Sequence, residues 1–311
     1  MTTFKHTKGH YCTNKSLLIS NLQKCIRRSC VKPALKTALA LIEHHPVDFI
    51  RRLPIIIMED IILHPHFDHL VDLMVKASSK QAVFTNQEVD FILSTIRDLT
   101  QCKYRDMVDP IILTQYKKSN LDKKLSTETS CHINALRTRA KYGGMKCDME
   151  MLEDYAAIWT VRFQSNEEYW LEFLNEQYPN TKSIDSGSIG PLKKEDILLE
   201  AVDFHCSPII HILLKKGAII SHIYRTFGGG INMRTIITDL IWHLRSNQNP
   251  RKVFYDKKIP VDSINLYYDE ASIKRFVKLY YLIEEDLEGI SNWWIEKQHE
   301  AENKPVQLTL E

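Results

Sequence analysis

Histidine, cysteine and carboxylate side chains cluster twice in this sequence, and these are the donors that metal binding or nucleophilic catalysis requires. In HPHFDH, His64, His66 and His69 stand beside Asp68, a set that suits zinc or a harder divalent ion. Pro65 interrupts their geometry, and no two of these histidines have the i, i+4 spacing that puts a pair of imidazoles on one helix face. In DFHCSPIIH, Asp203, His205, Cys206 and His211 form another half-site, with no second half at metal-binding spacing. His205 and Cys206 make a poor base and nucleophile, because adjacent side chains on a helix diverge by about 100°. Histidines packed beside apolar residues at helix ends are the plainer reading, so no metal and no cofactor is assigned. An enzyme using Asp203, His205 and His211 is the competing reading.

Three stretches could hold an anion. GHYCTNKS, residues 9–16, is one residue away from a phosphate-binding loop, with Asn14 where the second glycine belongs. That glycine is needed for the backbone turn, and the loop must follow a buried strand, which MTTFKHTK does not supply. Gly228-Gly229-Gly230, flanked by Arg225 and Arg234, precedes a helical pattern and could cradle an anion at a helix N-terminus, or merely break the helix. RTRAKYGGMKCD places Arg137, Arg139, Lys141 and Lys146 around Gly143-Gly144, with Tyr142 available to stack on a base. Equally, its glycines could let two helices cross closely.

The charge distribution carries more weight. The net charge is only +2, yet no acid precedes Glu43, while Lys5, Lys8, Lys15, Lys24, Arg27, Arg28, Lys32 and Lys36 all do. Acids gather later, in Glu167, Glu168, Glu172 and Glu176 and in Glu284, Glu285, Asp286 and Glu288. A basic end should attract polyanions through salt-dependent phosphate contacts, unless it is a solvated face. The expected nucleic-acid contacts are Lys24, Arg27, Arg28, Lys32 and Lys36, then Arg137, Arg139 and Lys141. The acidic helices are expected to meet a protein partner or a second copy of the chain. A third reading is a purely protein–protein interaction module, with the Trp293-Trp294, Tyr267-Tyr268 and Tyr280-Tyr281 pairs as anchors unless they are core.

Helices must position all of these groups, because apolar spacing is helical nearly throughout. Leu18, Leu22, Cys25 and Ile26 form one stripe, with Ser16 as the expected cap. Pro33 suits a first turn, and His44-His45-Pro46 a break. Pro54 should kink a third helix or start a new one. Further helices are expected at about 67–77, 87–99, 109–117, 131–141, 148–163, 166–177, 194–216 with a break at Pro208, 232–244, 270–286 and 291–302. A weak hairpin is allowed near Lys252–Tyr255 and Asn265–Tyr268. The fold class is therefore all-α, in two helical subdomains, 1–125 and 126–311, separated by the polar stretch KSNLDKKLSTETS.

Within FIRRLPIIIMEDIILHPHFDH, Arg52 and Glu59 lie two helical turns apart on one side. A charge left unpaired in such an apolar stretch costs several kcal/mol, so the arginines should pair with Glu or Asp locally or on a neighbouring helix. LLISNLQKCIRRSCVKPALKTALALIEHHPVDFIRRLPIIIMEDI resembles the helical domain that follows the ATPase core in clamp-loader-related AAA+ proteins of the replication-associated recombination type. The likeness rests on Leu22, Lys24, Ile26, Arg27 and Arg28, then Ala34, Leu35, Ala38 and Leu39, then Arg51, Arg52, Leu53, Ile56, Glu59 and Asp60, and covers about residues 16–77. It implies a helical scaffold associated with DNA replication or repair. No phosphate loop or metal-binding Asp-Glu motif is present, so ATP hydrolysis does not carry over.

The chain has 311 residues, 44 % hydrophobic and 26 % charged, a balance typical of a globular protein with a substantial core. Its apolar runs fall short of the roughly 18 residues that cross a bilayer, and no signal-peptide core is seen. Seven scattered cysteines without a C-x-x-C pair indicate reduced thiols. The expectation is an intracellular protein, cytoplasmic or nuclear, non-enzymatic, associated with nucleic acid and not with membrane.

Overall fold

A computed structural model describes residues 9–79, 84–106, 124–178, 183–230, 232–246 and 270–302. The fold is all-α, with no β-strand among the described residues. The expected helix at 109–117 and the hairpin near Lys252–Tyr255 and Asn265–Tyr268 lie outside them. No described helix is long and apolar enough to cross a membrane.

Eleven helices are described: α1 Lys15–Arg27, α2 Val31–His44, α3 Pro46–Asp60, α4 Phe67–Ser79, α5 Asn86–Gln101, α6 Thr127–Lys141, α7 Lys146–Gln177, α8 Cys206–Leu213, α9 Gly217–Phe227, α10 Met233–Ile241 and α11 Glu270–Glu302. Short 3-10 turns at Ser186–Ser188, Lys194–Asp196 and Leu199–His205 and a π turn at Trp242–Ser246 join them. The chain forms two compact units, though not at residue 125. One is Ser29–Pro191; the other joins Gly9–Arg28 to the chain from Leu192 onward. The stretch that resembles a clamp-loader-type domain thus divides between the units after α1.

In the first unit, α3 is the central element. Phe49, Ile50 and Leu53 are buried, and so is the whole run Pro54-Ile55-Ile56-Ile57-Met58, which is how a helix packed on several sides behaves. α2 and α4 flank it, α7 contacts it, and α2 also packs on α5. Pro54 lies inside α3 without ending it. The turn after α3 is fastened by two backbone carbonyls: Ile61 accepts from the Asp106 amide at 2.8 Å, and Ile62 from the Tyr178 hydroxyl at 2.6 Å. α5 opens with a reciprocal cap, in which the Glu88 amide donates to Thr85 Oγ1 and the Thr85 amide to Glu88 Oε2, satisfying two donors the helix leaves over.

α6 and α7 form a helical hairpin. Ser126 caps α6 by accepting from the Thr129 amide, so this helix begins inside the polar stretch expected to be a loop. α7 is broken at Asn166, whose backbone is non-helical at φ −158° and ψ 90°, and whose side chain accepts from the Tyr169 amide at 3.2 Å. The two sequence-expected helices, 148–163 and 166–177, are the two halves of this element. Just before the break, the Arg162 guanidinium makes a two-armed ion pair with Asp106 at 2.6 and 2.9 Å and lies 4.6 Å from the Trp159 ring and 4.8 Å from the Trp170 ring. Both partners are buried.

In the second unit, α1 packs on the Leu199–His205 turn, and α11 on α8, α9 and that same turn. Gly289 does not interrupt α11, so the two helices expected at 270–286 and 291–302 are one. Pro208 falls in the first turn of α8, where its missing donor costs nothing, and the helical break comes before it.

Removing one arm of a buried ion pair strands the other charge, at a cost of about 3–5 kcal/mol. Asp106→Ala should therefore lower the stability of the first unit by that amount, read as a shifted urea midpoint with unchanged slope. A loss below about 1 kcal/mol would mean that Arg162 reaches water.

Candidate functional site

Among the basic residues of α1 and α2 expected to touch nucleic acid, Lys32 is exposed and Arg27 and Arg28 are half-buried. Lys24 and Lys36 are buried. Lys24, Arg27 and Arg28 belong to the second unit, Lys32 and Lys36 to the first. Arg27 Nη1 donates to the Ser246 carbonyl and Arg28 Nη2 to the Arg245 carbonyl, both at 2.7 Å, neutralising the carbonyl end of the π turn, where a cation is favourable. Arg245 is itself buried, donating to the Leu199 carbonyl at 2.8 Å and to Ser291 Oγ at 2.5 Å, with Asp203 Oδ1 at 3.5 Å from its Nε. Burial pushes the Asp203 carboxyl up, and the charges of Arg245 and then Lys24 oppose that rise.

Of the second group, Arg137 and Lys141 are exposed and Arg139 is buried. Arg139 Nε donates to the Arg51 carbonyl at 2.7 Å and Nη1 to the Gly143 carbonyl at 2.9 Å. Arg51 Nη2 donates to the Tyr142 carbonyl at 2.7 Å. Arg52 bridges Glu59 at 2.7 Å and Asp148 at 2.9 Å, as its apolar surroundings required. Asp148 sits in the first turn of α7, where a carboxylate also complements the helix dipole. Three arginines thus clamp the α6–α7 loop onto α3. Gly143 and Gly144, at φ +79° and +142°, supply a backbone that other residues rarely adopt. Lys141 lines an open pocket of about 560 Å³ together with Glu150, Glu153 and Asp154, surroundings that repel phosphate.

The other anion candidates are occupied by the protein's own groups. The Thr13 amide, ahead of α1, donates to Glu302 Oε2 at 2.7 Å. Asn14, not Ser16, caps α1, accepting from the Leu17 amide at 3.0 Å and donating to Gln298 Oε1 at 3.1 Å. Tyr11 stacks on His299 with centroids 4.1 Å apart. Cys12 is fully buried, and burial pushes its thiol up to about 12. At the glycine run, Gly228 ends α9 at φ +87°, and the Asn232 side chain accepts the Arg234 and Thr235 amides that an anion would need.

Among the described residues the histidine clusters do not assemble as metal donors, and the side chains of His205 and Cys206 lie outside them. His64 is buried, accepts from the His66 amide through Nδ1 at 3.0 Å, and packs on Tyr178. Burial, then the neighbouring His66 and His132, holds its imidazole down at about 3. His66 and His69 are exposed beside Phe91. Asp203 is directed to Arg245, and His211 is exposed.

The aromatic pairs split, as neighbours about 100° apart on a helix must: Tyr280 and Trp294 are buried, Tyr281 and Trp293 exposed. Tyr267-Tyr268 lies outside the described residues. The sequence reading passed over a stronger feature on the second half of α7. Tyr169, 52 % exposed, stacks on Phe173 at 6.1 Å; Trp170 and Tyr104 meet the same Phe173 edge-on at 5.6 and 5.1 Å. Beside this ridge runs an open groove of about 1000 Å³ whose lining includes Glu128, Glu167, Glu168, Glu172 and Glu176. The signal was present as aromatics at i, i+1 and i+4 interleaved with glutamates.

Comparison with family models, curated proteins and solved structures yields no match to this chain.

Because His64 is held neutral in the fold, its lowered value makes the unfolded chain bind the extra proton first. Its contribution is whole above about pH 6.5 and declines by about 1.4 kcal/mol per pH unit as pH falls towards 3. Denaturation between pH 7 and 4 should show this slope in the wild type, and His64→Phe should flatten it. Equal slopes in the two proteins would mean that His64 is not buried as a neutral ring.

Proposed function

We propose that this chain is a non-catalytic helical scaffold that works through protein–protein contacts made on the second half of α7. The aromatic ridge of exposed Tyr104 and Tyr169, backed by half-buried Trp170 and Phe173, carries this reading. Tyrosine rings exposed on a stacked aromatic cluster are the kind of anchor that protein interfaces use, where a few aromatic side chains supply most of the binding energy. The internal use of the basic residues supports it as well. Of the eight cations expected to meet phosphate, Lys32, Arg137 and Lys141 are exposed, and the last shares its pocket with three carboxylates. A scaffold of this kind could still serve replication or repair, as the resemblance of residues 16–77 implies, with a protein as its direct ligand there.

Labelled single-stranded and duplex DNA and RNA, titrated at 50 and 200 mM salt, separate the two readings. A protein making 6–10 phosphate contacts loses about 10³–10⁵ in affinity over that range. The expectation here is no saturable binding at either salt. Saturable low-salt binding with such a slope, abolished by Lys32→Glu with Arg137→Glu, would replace the protein-contact reading with a nucleic-acid one.

A further inference from the structure

The ridge on α7 has a chemical preference written into it. Glu168, Glu172 and Glu176 recur every four residues along the face next to Tyr169 and Phe173, and all three are exposed. Among the described residues no cation pairs with any of them, so the row repels itself by a few tenths of a kcal/mol per neighbouring pair. Tyr169 adjoins Glu172, and Phe173 adjoins Glu176, at the i, i+3 spacing that brings side chains together on a helix. Carboxylates beside the exposed Tyr169 ring match a planar cation, which stacks on the ring while its edge donates two hydrogen bonds.

The protein already makes this arrangement internally. Arg162 lies over Trp159 and Trp170 while Asp106 takes both arms of its guanidinium. Trp170 touches Phe173 and Tyr169 in turn, so the ridge, exposed at Tyr169, continues the aromatic cluster that holds an arginine inside. A lysine ammonium is a compact, strongly hydrated charge and gains less from a ring face.

We propose that the second half of α7 docks an arginine-bearing segment of a partner protein, a guanidinium stacking on exposed Tyr169, which Phe173 backs, and pairing with Glu172 and Glu176. This rests on the protein-contact reading above and names the chemistry of that contact.

Fluorescence anisotropy of the full chain with labelled nine-residue peptides, alternating serine with arginine, lysine or glutamate, tests it. The arginine peptide should bind about fivefold tighter than the lysine peptide, the scale of one or two exposed cation–π contacts, and the glutamate peptide should not bind. Tyr169→Ser with Phe173→Ser should erase the arginine preference; Glu172→Gln with Glu176→Gln should weaken both basic peptides about tenfold, with circular dichroism unchanged. No binding, equal binding of the arginine and lysine peptides, or a preference indifferent to Tyr169 and Phe173 overturns the proposal. So does Tyr169-dependent self-association in sedimentation, which makes a second copy the occupant. Peptide failure together with absence of nucleic-acid binding leaves the scaffold reading standing, whereas saturable nucleic-acid binding removes the reading itself.

Discussion

Buried and half-buried guanidinium groups, held by carbonyls and carboxylates, organise both units. In the first unit Arg139 spans the Arg51 and Gly143 carbonyls, Arg52 bridges two carboxylates on different helices, and Arg162 is held by Asp106 between two indoles. In the second, Arg27 and Arg28 take the carbonyls at the end of the π turn, and Arg245 ties that turn to Leu199 and Ser291. Arginine suits such positions because its fixed fork of donors reaches several acceptors at once. Each tie restrains helix packing more narrowly than apolar contact does, since truncating an arm leaves buried acceptors unmet.

This internal use decides what the surface can do. Part of the amino-terminal excess of positive charge is spent inside the second unit, where Lys24 is buried and Arg27 and Arg28 are directed to carbonyls. Acidic side chains and the Tyr169 ring remain outside on the second half of α7. A surface of that composition favours a cationic polypeptide over a polyanion, because like charges facing across an interface cost more than rim pairs return.

Much of the fold was legible in sequence because helical apolar spacing is a local signal. The stripes of α1, α2 and α5, the break at His44-His45-Pro46 and the two halves of α7 fall where that spacing puts them. The Arg52–Glu59 pair was legible too, since two turns of helix fix its geometry. The burial of Lys24 was not. A single apolar stripe suggests one covered face, yet α1 is also covered at Ser20, Asn21, Gln23 and Lys24, where Asn21 exchanges hydrogen bonds with Asp196 and Leu198. That cover comes from chain more than 170 residues away, and nothing in the local pattern announces it. The division into units escaped for the same reason, because residues 9–28 join the distant half of the chain.

Lys24 and Lys36 must be internal while Lys32 is exposed, and amine reactivity in the folded protein tests this most directly. Under brief acetylation followed by peptide mass spectrometry, Lys32 and Lys141 should modify promptly, while Lys24 and Lys36 should stay unmodified until denaturant is added. Modification of Lys24 and Lys36 at the rate of Lys32 would show them at the surface and contradict the account.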